Sequence, residues 1–347
     1  MISLTSIDKL YKQGNTVMHA LKGINLQVAQ GQIFGILGRP GSGKSALIRC
    51  INLLESPDRG SVVVDSCELN SLDIKSLREA RRNIGMIFEH FNLLYSRTVY
   101  ENIALPLEIM GYSSKQIEAG VRPLLDLIGL SHKADAPIDQ LNAGQKQMVA
   151  IAKALASKPK VLLCEEATAA LDPKAKQAVL ALLKAIQRTL HTTIVLITHE
   201  IDVIKTLCDR VAVLHQGTIV EESSTTAFFT HPQSEIGRDF IRSAARAEIP
   251  NSLAKTLKTK ALEHYNPLLR ISFDDPSTQG SFVAALVQQF HLRVNILQAH
   301  LETIQDKSTG LMLIEAMGDM EEVKRAIQFL EQNNIYVEVL AYAPRTA

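Results

Sequence analysis

Two carboxylates stand side by side in "VLLCEEATAALDP", residues 161 to 173: Glu165 and Glu166 close a short apolar run, and small residues lead on to Asp172 and Pro173. An isolated pair of glutamates usually marks a strand that has reached solvent, so its meaning depends on residues elsewhere. The stretch that gives it meaning is "GILGRPGSGKSALIR", where Gly38 is followed after four residues by Gly43, Lys44 and Ser45. The glycines come directly after an apolar strand and before a helical run, the context that makes a phosphate-binding loop. Gly38, Gly41 and Gly43, with Arg39, Pro40 and Ser42 between them, let the backbone fold tightly. Its N–H groups and the following helix N-terminus, Ala46 included, then point at phosphate. Lys44 supplies a fixed positive charge for β- and γ-phosphates, and Ser45 a hydroxyl for Mg²⁺. Such loops work with a carboxylate at the end of a neighbouring strand that holds Mg²⁺. Glu165 fits that place. Glu166 would stand beside the γ-phosphate, where it could orient or deprotonate an attacking water.

The elements that must position these groups are legible up to about residue 245. Short runs apolar on both faces, "QIFGILG", "KVLLCEE", "TIVLITHE" and "RVAVLHQG", alternate with longer helical stretches. That pattern predicts an α/β domain built on a mostly parallel sheet covered on both sides. Residues 90 to 160 are richer in helical spacing, with Leu124, Leu125, Leu127, Ile128 and Leu130 before the loop "SHKADAPIDQ", which predicts a helical subdomain. Residues 246–264 are charged and poor in large apolar side chains and read as a linker, helical in part. Beyond them Leu269, Ile271 and Phe273 alternate, and Val283, Leu286, Val287 and Phe290 recur at helical spacing. Val294 and Ile296, then Leu311 and Leu313, follow in strand spacing. Met320, Val323, Ile327 and Leu330 recur at helical spacing, and Ile335, Val337 and Val339 alternate. The order βαββαβ over 265–347 predicts a small ferredoxin-like α+β domain.

At 347 residues the chain is long enough for two cores. Its 37 Lys and Arg against 36 Asp and Glu leave a formal charge of +1, so no global field favours nucleic acid or an acidic partner. The absence of Trp removes the stacking platforms common in single-strand binders. Cys50, Cys67, Cys164 and Cys208 are far apart, follow no metal spacing and read as buried thiols in a reducing cytosol. The start "MISLTSIDKLYKQG" has neither the basic stretch nor the apolar core of a signal peptide, and no run approaches a membrane span.

The segment "LNAGQKQMVAIAKALASKPKVLLCEEATAALDP" resembles the signature and Walker B block of ABC-transporter ATPases, whose usual signature is LSGGQ; here it reads Leu141, Asn142, Ala143, Gly144, Gln145. The family's other parts follow in order. Tyr11 stands at the adenine-stacking position, Glu89 at the Q-loop position, Asp172 in the D-loop and His199 in "LITHE". "FNLLYSRTVYENIALPLEIMG" and the βαββαβ tail are similar to the ATP-binding subunits of methionine importers, which carry a C-terminal NIL domain. The resemblance covers essentially the whole chain. It implies an ABC ATPase domain, with a RecA-like core and a helical subdomain, over 1–245 and a NIL-type regulatory domain over 265–347. It also implies a homodimer of ATPase chains under two membrane permease chains, on the cytoplasmic face of the inner membrane and fed from outside by a substrate-binding protein. In that arrangement ATP and Mg²⁺ sit between two chains. The Walker A loop of one holds the phosphates, and Asn142 to Gln145 of the other cap the γ-phosphate. Glu166 polarises water, His199 contacts the γ-phosphate, and the loop around Glu89 carries motion to the permease. Ser45, Glu89 and Glu165 are the metal-side groups. Asp172 also suits a helix N-cap before Pro173.

Against the family pattern, Glu165 replaces Asp, Glu89 replaces Gln, and Asn142-Ala143 replaces Ser-Gly. Ala46, Met148 and Lys153 stand where Thr and two Arg residues are usual. Asn142 keeps an N-cap and an amide that can donate toward phosphate. The extra methylene of Glu165 moves a carboxylate by on the order of 1 Å, which predicts retained binding with slower chemistry. Ala143 brings a methyl where backbone approaches phosphate and where Gly permits strained dihedrals. Glu89 adds charge beside Glu165 and Glu166, which should raise one carboxylate's pKa unless Mg²⁺ compensates. These departures leave open an alternative, a nucleotide-driven regulatory dimer with little turnover. A soluble ABC protein acting on ribosomes or DNA is disfavoured, since this chain has neither a second ATPase domain nor a basic extension. The tail would join chains through sheet edges, bind the transported amino acid as an inhibitor, or both.

Overall fold

The computed structural model describes residues 1–14, 16–247, 257–258, 264–273, 279–304, 307–333 and 335–344. The chain divides into two compact units, Met1–Glu222 and Ser223–Ala347. The sequence reading placed the boundary after 245. Contacts instead group residues 223–247 with the C-terminal unit. Most of the expected linker, 248–256 and 259–263, lies outside the described residues. Lys258 within it exchanges backbone hydrogen bonds with Tyr342.

The first unit opens with β1 (Ile2–Gln13), β2 (Thr16–Val28), β3 (Ile33–Leu37), α1 (Lys44–Ile51), β4 (Arg59–Val64), β5 (Cys67–Glu68), α2 (Ile74–Arg81) and β6 (Ile84–Ile87). The helical subdomain follows as α3 (Val99–Ile109), α4 (Ser114–Leu127) and α5 (Ala143–Leu155). Then come β7 (Val161–Glu165), α6 (Pro173–Leu190), β8 (Thr193–Thr198), α7 (Ile201–Leu207), β9 (Arg210–His215) and β10 (Thr218–Ser224). Six strands form one sheet in the order β10-β9-β3-β8-β7-β6, with β9, β3, β8, β7 and β6 parallel. Every residue of β3, β7 and β8 is buried, as continuous apolar runs with both faces covered require. The expected mostly parallel sheet is therefore present. It is joined by a second, antiparallel sheet that the sequence reading did not separate, β2-β1-β4-β5. Its period-2 pattern breaks at Ser6, where φ is +49° and the register shifts between Leu4 and Ile7.

Parallel register puts the chemistry at one edge. Leu37 pairs with Thr198 and Glu165 with Ile197, so the C-terminal ends of β3, β7 and β8 lie side by side. Ligands of open α/β sheets bind at such ends. In the helical subdomain Leu125, Ile128 and Leu130 are buried as expected, whereas Leu127 is 46% exposed. Of the cysteines, Cys50, Cys164 and Cys208 are buried and Cys67 is only half-buried. Burial pushes the Cys50 and Cys164 thiols up to about 12, so both stay protonated.

The second unit starts with α8 (Thr225–Thr230) and α9 (Glu235–Ala247). It continues as β11 (Tyr265–Phe273), α10 (Gln279–Gln288), β12 (Arg293–Ile304), β13 (Lys307–Met317), α11 (Met320–Gln332) and β14 (Tyr336–Pro344). The βαββαβ order is as expected. The sheet runs β12-β13-β11-β14, antiparallel throughout. Leu269, Ile271 and Phe273 pack with Leu286, Val323, Leu330 and Val337 in one core. A bulge at Leu340 turns Val339 outward, 36% exposed, and breaks the alternation expected for the last strand.

Candidate active site

The phosphate loop leaves β3 at Leu37 and enters α1 at Lys44. Gly41 has φ +79° and Gly43 φ +106°, and a Cβ on Gly43 would lie 2.6 Å from the Ala20 carbonyl oxygen, so only glycine fits there. Leu47 N–H donates to Gly43 O and closes the first turn of α1. The N–H groups ahead of it have no partner in the helix ladder, as an anion site needs. Lys44 is 6% exposed, and its Nζ donates to Gly38 O at 2.7 Å. Burial lowers the Lys44 pKa, and the Glu166 carboxylate, 3.5 Å away, opposes that shift.

Glu166 follows the end of β7 with φ +46°, a left-handed turn that carries its side chain out of the strand direction. Its carboxylate lies between Lys44 Nζ and His199 Nδ1, the latter at 3.0 Å. His199 comes directly after β8 and its side chain is 47% exposed. The three groups meet in a cleft of about 650 Å³ also lined by Tyr11, Pro40, Gly41, Gly43, Ser45, Ala46 and Glu89.

Glu165 is placed differently. It is 2% exposed and does not line the cleft; its Oε1 and Oε2 accept from Arg49 Nη2 at 3.0 and 3.4 Å. Arg49 Nη1 lies 3.4 Å from Glu55 Oε1, and Glu55 Oε2 accepts from the Tyr11 hydroxyl. Burial, then the hydrogen bond and charge of Glu55, push the Tyr11 phenol well above its ordinary value. Arg49 and Glu55 were missed at the sequence level. The available signal was the spacing of four between Ser45 and Arg49, which puts both on one face of α1.

Asn142 to Gln145 do not line this cleft. They begin α5, where Asn142 Oδ1 accepts from Gln145 N–H at 2.8 Å and Gln145 Oε1 accepts from Asn142 N–H at 3.3 Å, a capping box. Ala143 is the first helical residue and does not have positive φ, so the backbone strain expected of it is not there. Asp172 caps α6, accepting from Lys174 and Ala175 N–H at 3.0 Å. Glu200 accepts from Thr168 Oγ1 at 3.0 Å and pairs with Lys176. Lys153 Nζ donates to Asn92 O at 2.7 Å, and Lys146 Nζ lies 5.3 Å from the Tyr95 ring centre. These contacts fasten α5 to the loop that follows Glu89.

The residues fit a nucleoside triphosphate. The glycine cradle and the buried Lys44 serve an anion, whereas the Ser42 Oγ is buried beside Gly38 and does not line the cleft. Among the described residues no three His, Cys, Asp or Glu side chains form a metal cluster.

Comparison with known proteins gives the family. Residues 21–169 match the ABC transporter family and residues 267–339 the NIL domain. The chain is 48% identical over 347 residues to the methionine import ATP-binding protein MetN of Chromohalobacter salexigens, covering 100% of both chains. It is 46% identical over 342 residues to MetN of Vibrio vulnificus, covering 99% of both. Among solved structures, the dimeric ATP-binding cassette MJ0796, bound to ADP and Pi in a post-hydrolysis state, superposes with a TM-score of 0.61 at 35% identity. That match covers 65% of this chain and 99% of the other. CbiO1 of Clostridium perfringens, part of the ABC transporter complex cbiONQ, gives 0.60 at 29% identity, covering 72% and 96%. With 48% identity to a MetN protein over the full length, a NIL domain and a match to the ABC transporter family, the chain belongs to the MetN family of ABC-transporter ATP-binding proteins.

Proposed function

We propose that the chain is the ATPase subunit of a methionine importer. It works as a head-to-tail homodimer beneath two permease subunits that an extracytoplasmic binding protein supplies. The observation that carries this reading is the Glu166 carboxylate held between Lys44 and His199 at the mouth of the glycine cradle. Lys44 and the first-turn N–H groups of α1 bind the β- and γ-phosphates, and Tyr11 offers its ring to the adenine. Glu166 accepts a proton from the attacking water, and His199, bonded to it through Nδ1, fixes its direction and reaches the γ-phosphate. Ser45 and Glu89, which line the cleft, would hold Mg²⁺, which when bound would neutralise phosphate charge. Asn142 to Gln145 of the second copy close the site with the free N–H groups of α5.

A groove of about 630 Å³ lined by Arg78, Arg82, Phe88, Phe91, Ile109 and Lys153 is the permease-docking surface on this reading, next to the Glu89 loop. The protein then lies peripherally on the cytoplasmic face of the inner membrane. Among the described residues no helix is long and apolar enough to cross a membrane. The C-terminal unit is the regulatory part. Its Glu315 accepts from Asn266 at 2.8 Å and from Asn295 at 3.4 Å, a set that joins β11, β12 and β13.

Permease-free protein is expected to hydrolyse ATP, and Glu166→Gln to lower kcat by about 10²-fold or more while fluorescent nucleotide still binds. Undiminished turnover, or loss of binding together with turnover, overturns the assignment. With the permease assembled, turnover should respond to binding protein loaded with methionine and not to other amino acids.

A further inference from the structure

Four side chains form one connected line: Tyr11, Glu55, Arg49 and Glu165. Tyr11, Glu55 and Arg49 line the cleft, and Glu165, at the end of β7, lies behind them. Arg49 joins the two acids, one on each terminal nitrogen, at 3.4 Å to Glu55 and 3.0 Å to Glu165. Both Glu165 oxygens lie within 3.4 Å of the same Arg49 nitrogen. An ionised, buried carboxylate needs such a partner, because removing one member of a buried pair leaves an uncompensated charge. The Glu165 side chain ends on the arginine.

We propose that Arg49 is a positioning residue for nucleotide binding, which holds the Glu165 carboxylate in an ion pair of its own and joins it through Glu55 to Tyr11. Glu165 therefore supports the site through Arg49, and the adenine side and the metal side of the cleft are mechanically one network. Substituting Arg49 leaves Glu165 buried and unpaired. Substituting both removes the buried charge and the need for its partner. This inference rests on the nucleotide-binding reading for its role and on the ion pair alone for its geometry.

The test uses the full chain with Arg49→Gln, Glu165→Gln, the double variant and Arg49→Lys. Thermal unfolding is measured without nucleotide, and binding of a fluorescent ATP analogue is titrated with and without Mg²⁺. Arg49→Gln is expected to lower the nucleotide-free Tm by roughly 5–10 °C, and the double variant to recover at least about half of that loss. Arg49→Lys is expected to fall between wild type and Arg49→Gln. Each single Gln variant should weaken analogue binding, the double variant no more than the worse single, since residues of one network are not additive. Additive losses in Tm and binding overturn the proposal. So does a titration in which Glu165→Gln alone abolishes the Mg²⁺ response while Arg49→Gln keeps it, which makes Glu165 a metal ligand in its own right. If the wild-type chain binds no analogue, the functional reading fails, and the nucleotide-free Tm cycle still decides the ion pair.

Discussion

Glu165 and Glu166 are adjacent in the chain and have opposite surroundings. Strand geometry keeps Glu165 buried against Arg49, and the left-handed φ of +46° at Glu166 turns the next side chain toward Lys44 and His199. That a strand end stands beside a phosphate loop was legible in the sequence. Arg49 was not, because nothing local says which of several charged residues on α1 a distant strand will meet. The signature shows a second residue-scale outcome. Ala143 sits in helical backbone without positive φ, whereas a Cβ on Gly144 would lie 2.7 Å from the Ala175 Cβ on α6. Gly144→Ala is expected to cost about 1–3 kcal/mol through this overlap. Ala143→Gly should change stability by less than about 1 kcal/mol, the difference in helix propensity. Urea unfolding of the two variants checks the order, and equal midpoints would refute it.

At the scale of elements, the ends of β3, β7 and β8 set the site, and each was legible as an uninterrupted apolar run. The N-terminal antiparallel sheet was less so. Its shifts of register around Ser6 and Ile7 destroy the alternation that marks a half-buried strand. The Glu200 contacts tie the start of α6 to the end of β8, and so fix the loop that carries Glu166. Burial alone would raise the Glu200 carboxyl, but the Lys176 and Thr168 hydrogen bonds bring it below its ordinary 4.5. A depressed folded-state pKa stabilises the fold above that ordinary value, and the contribution is lost as pH falls through the depressed one. Glu200→Gln is therefore expected to lower Tm at pH 7 and to differ progressively less from wild type below about pH 4.5. A Tm difference that stays constant down to acid pH would count against this linkage.

At the scale of the whole molecule, α8 and α9 group with the C-terminal sheet although their sequence continues the ATPase pattern. Arg270, 7% exposed on β11, reaches the Phe229 carbonyl of α8 at 3.3 Å. Arg242 of α9 pairs at 3.1 Å with Glu338, which stands opposite Arg270 in the β11–β14 register and is 6% exposed. A fragment of residues 223–347 is accordingly expected to unfold cooperatively and at a higher Tm than one of residues 265–347, which leaves Arg270 and Glu338 without these partners. Equal melting of the two fragments, followed by circular dichroism, would show that α8 and α9 are dispensable. The sequence alone determined the phosphate loop, the signature, the strand ends and the βαββαβ order, because each rests on residues close together in the chain. Tertiary structure alone decided which charges meet: Arg49 with Glu165, Lys153 with the Asn92 carbonyl, Arg242 with Glu338. Such pairs join elements 61 to 116 residues apart, and their partners are chosen by packing and register, which no local pattern encodes.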